Sequence, residues 1–156
     1  SPTAVGRARS RVRGPAFASA SGTLLPFADG AFDVILASDG LFSWQVDAPT
    51  RASALRDIHR ALAPGGRVVL TDHMRPVRFP EFVAEVRASP LRVERVTYLH
   101  DRPCYQFEGL IKAFRHTAPA RAMRASVPLA RVLCAVGRPF GAAGSRHIVV
   151  VAARDP

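Results

Sequence analysis

The 156-residue chain has almost no cysteine, almost no lysine and no long apolar run. Its two cysteines, Cys104 and Cys134, are too few for a disulfide framework and cannot by themselves hold a zinc ion. No uninterrupted apolar segment reaches the ~18 residues a membrane span needs, and no signal-peptide-like stretch opens the chain. These absences predict a reduced, cytoplasmic domain with no membrane partner. Of 22 basic residues only Lys112 is lysine, and acids number just 12, so the net charge is +10. Apolar residues make up 48% against 22% charged, which excludes an intrinsically disordered chain, and the length suits a single domain over residues 1–156.

The charge is uneven. Arg7, Arg9, Arg11 and Arg13 give the first 28 residues +4; residues 29–108 sum to −1; residues 109–156 carry +7. A nucleic-acid-binding face would cluster such charge with stacking aromatics between. Here the N-terminal arginines alternate with small residues and the C-terminal ones are widely spaced. That pattern suits a solvated surface and argues against a nucleic-acid partner.

Periodicity predicts alternating elements. Thr3–Val12 reads as the end of a helix broken at Gly14-Pro15, and Pro15–Ala20 as a short buried strand. Phe32–Ala37 is apolar apart from Asp33, as in a strand covered on both faces. From Pro49 to Leu62 apolar residues recur at helical spacing (Ala54, Leu55, Ile58, Ala61, Leu62), and Ala63-Pro64-Gly65-Gly66 stops that helix. Arg67–Thr71, Leu91–Leu99 and His147–Ala153 read as strands; the helix between the first two starts near Pro80 and buries Phe82, Val83 and Val86. Residues 105–116 and 120–136 read as helical, the second interrupted near Pro128. Such alternation is the mark of an α/β sheet, whose ligands bind beyond the carboxyl ends of its strands.

Two stretches carry a resemblance. Leu25-Pro26-Phe27-Ala28-Asp29-Gly30-Ala31-Phe32-Asp33-Val34-Ile35 is followed about 25 residues later by Ile58-His59-Arg60-Ala61-Leu62-Ala63-Pro64-Gly65-Gly66-Arg67-Val68-Val69-Leu70. In this order and spacing they resemble the class I S-adenosylmethionine-dependent methyltransferases of the small-molecule branch. The resemblance implies an α/β fold, a partial Rossmann-like three-layer sandwich with a mostly parallel sheet that lacks the family's N-terminal strands. Within it, residues 15–100 form the motif-bearing core, 105–136 a variable helical segment and 146–154 the final strand. The family's Gly-rich turn and its ribose-binding acid have no counterpart, and the chain opens on Ser1, as expected of an N-terminally truncated domain. Loss of those strands predicts a free edge on Phe32–Ala37, covered by Pro15–Ala20, a second copy or a partner chain.

The resemblance also implies site residues. S-adenosylmethionine would meet Ser21 and Gly22, where relatives often carry an acid, and Ala37, Ser38 and Asp39 at the end of the central strand, in a site this chain leaves incomplete. Ser43 stands where many relatives have a histidine. Among the remaining residues His73, after Thr71-Asp72 at a strand's carboxyl end, is either a catalytic base or a loop histidine bonded to local backbone. Phe42, Trp44 and Tyr98 are candidates for an aromatic wall over the substrate, with core packing the alternative for Phe42. Tyr105, Leu110, Phe114 and Met123 would line a pocket or pack in a core. His100 and His59 are weaker candidates, and His116 and His147 lack paired ligands, so no metal is expected. Two functions follow: a methyltransferase acting on a small-molecule O, N or C acceptor, inactive as this piece alone, or a non-catalytic methyltransferase-like module acting through a partner.

Overall fold

A computed structural model describes residues 2–12, 14–39 and 46–156. In chain order it has α1 (Pro2–Arg11), β1 (Phe32–Ser38), α2 (Ala48–Ala61), β2 (Leu62–His73), α3 (Phe79–Arg87), β3 (Arg92–Tyr98), α4 (Arg102–Ile111), α5 (Ala118–Arg124), α6 (Val127–Gly137) and β4 (His147–Ala153). Short 3-10 turns lie at Pro76–Arg78, Lys112–Phe114 and Arg138–Gly144. Among the described residues no helix is long and apolar enough to cross a membrane.

The four strands form one open sheet in the order β1-β2-β4-β3. β1 and β2 pair in parallel, whereas β4 pairs antiparallel with both β2 and β3, so three strands run one way and β4 returns between two of them. The alternation of side chains puts Val68, Leu70, Ile148 and Val150 on one face, where Leu55 and Ile58 of α2 and Phe82 and Val86 of α3 bury them. The opposite face is less covered: Val34 and Leu36 are 63% and 68% exposed. β1 is therefore not the doubly covered strand its apolar run suggests, because the helices that follow it close over one face only.

β1 is also an edge strand. Pro15–Ala20 does not pair with it; that segment is irregular and mostly exposed. Its Ala and Ser side chains bury little apolar area, and its Phe17 carbonyl accepts from the Arg9 guanidinium instead (2.8 Å).

The two motif stretches are joined by α2. The Asp57 carboxylate accepts from Leu25 N–H, and Arg60 donates to the carbonyls of Leu25 (3.1 Å) and Phe27 (2.8 Å) and to Asp29 (2.7 Å). Gly30 takes φ of 66° and donates its N–H to the Arg60 carbonyl (2.9 Å). Thus the Leu-Pro-Phe corner is clamped onto the last turn of the helix that leads into Pro64-Gly65-Gly66. At Gly66 a Cβ would lie 2.8 Å from the Ala63 carbonyl oxygen and 3.1 Å from that of Phe32. Gly66→Ala is expected to destabilise the fold by about 1–3 kcal/mol, read as a lower urea midpoint at unchanged m, because neither contact is a flexible side chain. A variant as stable as the parent would contradict this close approach.

At the carboxyl end of the sheet α4 packs on α6, with Cys104 and Cys134 sulfurs 3.8 Å apart. Burial, then the neighbouring Cys134, pushes the Cys104 thiol up to about 11, so it packs as a protonated thiol at neutral pH.

Candidate functional site

The carboxyl ends of β1 and β2 meet the beginning of β4. Because β4 runs antiparallel, its first residue, His147, stands opposite His73, the last of β2. Their ring centroids are 5.0 Å apart. Neither position is near the other in sequence, and only the direction of β4 brings them together.

Asp101, immediately before α4, holds His147. Its Oδ1 accepts the backbone N–H groups of Arg146 (2.8 Å) and His147 (3.2 Å), and its Oδ2 lies 2.5 Å from Nδ1 of the His147 ring. A carboxylate partner requires Nδ1 to carry a proton, so Nε2 is the ring nitrogen left to meet an acceptor. Nε2 lies 3.9 Å from Asp39 Oδ1 at the end of β1. Burial acts to raise the Asp101 carboxyl, but the bonds from His147 and the two backbone N–H groups outweigh it and hold it below the usual carboxylate range.

Asp39 has φ of 48°, a left-handed conformation uncommon for a residue with a side chain. Its N–H donates to the Thr71 carbonyl (3.0 Å), and Thr71 Oγ1 donates to Ser38 Oγ (3.2 Å). These bonds pin the end of β1 to β2 and turn the half-exposed Asp39 carboxylate toward His147. Tyr105, in the first turn of α4, stacks on His73 (centroids 4.8 Å apart, planes at 23°), and the Arg146 guanidinium carbon lies 5.9 Å from the Tyr105 ring centre.

His73 is held below the ordinary histidine value, first by partial burial and then by the neighbouring His147 and Arg146. His59 is lowered too, by burial and then Arg154. A histidine depressed in the folded state favours the native protein above its unfolded value of about 6.5, and that advantage is lost as pH falls through the lower folded value. The urea midpoint is therefore expected to drop between pH 7.5 and pH 5, and the His59→Gln/His73→Gln pair to flatten that drop. A parent whose midpoint stays constant across this window would refute it.

Of the residues expected from sequence, His73, Ser38 and Asp39 come together here. Ala37 pairs with Leu70 on the helix-covered face. Ser21 and Gly22 form an exposed turn closed by Ser21 Oγ and Thr23 Oγ1 (2.9 Å), adjoining the corner that α2 clamps. Tyr98, half-buried, stacks on Phe79 (centroids 5.4 Å apart) and packs against the core on the covered face. Phe42, Ser43 and Trp44 lie outside the described residues. His100 N–H donates to the hydroxyl of buried Ser145 (2.9 Å), which ties the end of β3 to the segment before β4. Leu110 and Phe114 are exposed, whereas Tyr105 reaches the site. Among the described residues no group of three or more His, Cys, Asp or Glu side chains is arranged to hold a metal. Sequence reading missed His147 and Asp101, which stand 46 residues apart; a strand-initial histidine is a signal only once the strand's direction is known.

Residues 1–70 match the model of a methyltransferase domain. Among curated proteins, the chain is 40% identical over 52 residues to the uncharacterized protein YafE of Escherichia coli K12, covering 33% of this chain and 23% of that protein. It is 36% identical over 64 residues to the ubiquinone/menaquinone biosynthesis C-methyltransferase UbiE of Klebsiella pneumoniae, covering 41% of this chain and 24% of the relative. The matched segments thus span about a quarter of those relatives' lengths. Among solved structures, the [4+2]-cyclase SpnF superposes with a TM-score of 0.60 at 19% identity, covering 98% of this chain and 60% of that one. Residues 1–70 thus resemble a methyltransferase domain in sequence, and over its whole length the chain shares the fold of a putative methyltransferase of Bacillus halodurans (TM-score 0.58, 11% identity, 80% of that chain covered).

Proposed function

We propose that this chain is the acceptor-side part of an S-adenosylmethionine-dependent methyltransferase that modifies a small molecule at an O, N or C atom. The methyltransferase-domain match supports the family, but fold alone does not choose the reaction, since a cyclase shares it. The observation that carries the reading is the Asp101–His147 pair at the carboxyl edge of the sheet, where α/β proteins bind their ligands.

Ser38 and Asp39 fit one wall of a cofactor site: a polar strand end with a half-exposed carboxylate, beside an edge of β1 that no described strand pairs. Ala37, Ser21 and Gly22 adjoin that wall only through the backbone that leads to it. When bound, S-adenosylmethionine supplies an electrophilic methyl group on a sulfonium. The chain's own residues do the rest. His147 takes the acceptor's proton at Nε2 as the acceptor atom gains the methyl, and Asp101 fixes the ring's tautomer and stabilises the imidazolium that forms. His73, held below the ordinary histidine value, stands beside it, and with Tyr105 it closes the acceptor's side of the site. The opposite wall comes from a segment or chain that pairs with β1, and a second copy of this chain or a partner would also cover Val34 and Leu36.

Calorimetric titration of the 156 residues with S-adenosylmethionine tests the incomplete wall: binding weaker than micromolar is expected, and micromolar binding would overturn it. Transfer of labelled methyl to small acceptors, assayed on this chain joined to its cofactor-binding part, tests the activity. The exposed apolar edge of β1 favours a second reading, a non-catalytic docking module. A complex that forms through β1 but transfers no methyl to any acceptor would select it.

A further inference from the structure

We infer that the acceptor carries an anionic group, a carboxylate or phosphate, seated in a cavity of about 480 Å³ beside the histidine pair and lined by Arg75, Arg102 and Arg146. This rests on the methyltransferase reading and names its substrate class. Tyr105 and Gln106 complete the polar lining, and no carboxylate lines the cavity. Its volume lies within the range of small-molecule sites.

The three arginines come from separate elements: Arg75 from the loop after β2, Arg102 from the start of α4 and Arg146 from just before β4. Elsewhere in the described structure some arginines, such as Arg51 and Arg60, are ion-paired and others, such as Arg56 and Arg87, are not, so what sets the cavity's three apart is that they share one lining. None of the cavity's three is in an ion pair among the described residues. Arg102 spends one N–H on the Ala143 carbonyl (2.9 Å), which aims the rest of its fork, and Arg146 lies over Tyr105. Converging guanidinium groups repel one another unless an anion sits among them, and their planar forks suit the paired oxygens of a carboxylate or phosphate.

Position ties the cavity to the chemistry. Tyr105 forms part of its wall and stacks on His73, which in turn lies against His147. An acceptor anchored by its anionic end would therefore cross Tyr105 and present its other end to His147 Nε2. Of the three, only Arg146 belongs to the C-terminal charge excess; Arg75 and Arg102 come from the middle segment whose net charge is −1.

Inorganic pyrophosphate and benzoate serve as the two probes, each titrated into the 156-residue chain by calorimetry. One or both should bind, and the one that binds tells phosphate from carboxylate. Arg75→Ala and Arg146→Ala should each weaken it about tenfold or more, while Arg131→Ala, in the same basic segment but on α6, should leave it unchanged. Circular dichroism checks that each variant is folded. Absence of binding by both probes, or equal weakening in all three variants, would overturn the inference. The two readings fail separately. Methyl transfer to neutral acceptors with a KM that Arg75→Ala does not move would overturn the anionic acceptor and leave the methyltransferase. Arginine-dependent binding of a probe in a protein that transfers no methyl would support the cavity and sink the methyltransferase.

Discussion

In this chain joined to its cofactor-binding part, replacing His147 with alanine is expected to slow the proposed methyl transfer about 10²–10⁴-fold, the usual contribution of a positioned base. The His147 side chain is only 21% exposed and partners Asp101, so its loss also costs about 1–3 kcal/mol of stability, and circular dichroism at the assay temperature checks that the variant is folded. Free imidazole should restore part of the rate, since it can occupy the space and take the same proton. Asp101 acts through His147 and not on the acceptor. Asp101→Asn should therefore lower kcat with KM unchanged, because an amide can keep the ring in place but stabilises an imidazolium poorly. A His147→Ala variant with parental kcat would remove His147 from the reaction. If His73→Ala instead carried the loss, the base would be the residue that sequence position alone nominated.

The largest expected stability effect is at Phe79. This residue opens α3, is 1% exposed, and stacks on Tyr98 over the core formed by β2, β4 and β3. Phe79→Ala removes a full aromatic ring and leaves a cavity that its neighbours can close only in part, at a cost of about 3–5 kcal/mol. For a chain of this size that is a fall of roughly 10 °C in melting temperature. Val77→Ala, two residues away but at a side chain 80% exposed, should change stability by no more than about 0.5 kcal/mol. The pair of measurements separates burial from helix propensity. Equal effects at both positions would mean that the stacked Phe79–Tyr98 pair is not part of the core.

Much of the fold was legible because it rests on local rules. Asp47 caps α2 by accepting from Thr50 N–H (2.7 Å), Pro49 and Pro80 sit in first helical turns, and Pro128 starts α6 where a break was expected. The apolar period of Ala54 to Ala61 and the run His147–Ala153 map directly onto α2 and β4, whereas Leu62 begins β2. Pro15–Ala20 failed as a strand because strand formation needs a neighbour to pair with, which a six-residue segment does not specify.

Sequence by itself determined the α/β class, the approximate positions of most helices and strands, and the two stretches that resemble a methyltransferase, because caps, turns and periodicity act over a few residues. Tertiary structure alone decided the site. The antiparallel return of β4 carried His147 to His73, and the start of α4 carried Asp101 to both Arg146 and His147. Strand direction and the convergence of three arginines depend on contacts between residues dozens of positions apart, and those contacts leave no periodic trace in the chain.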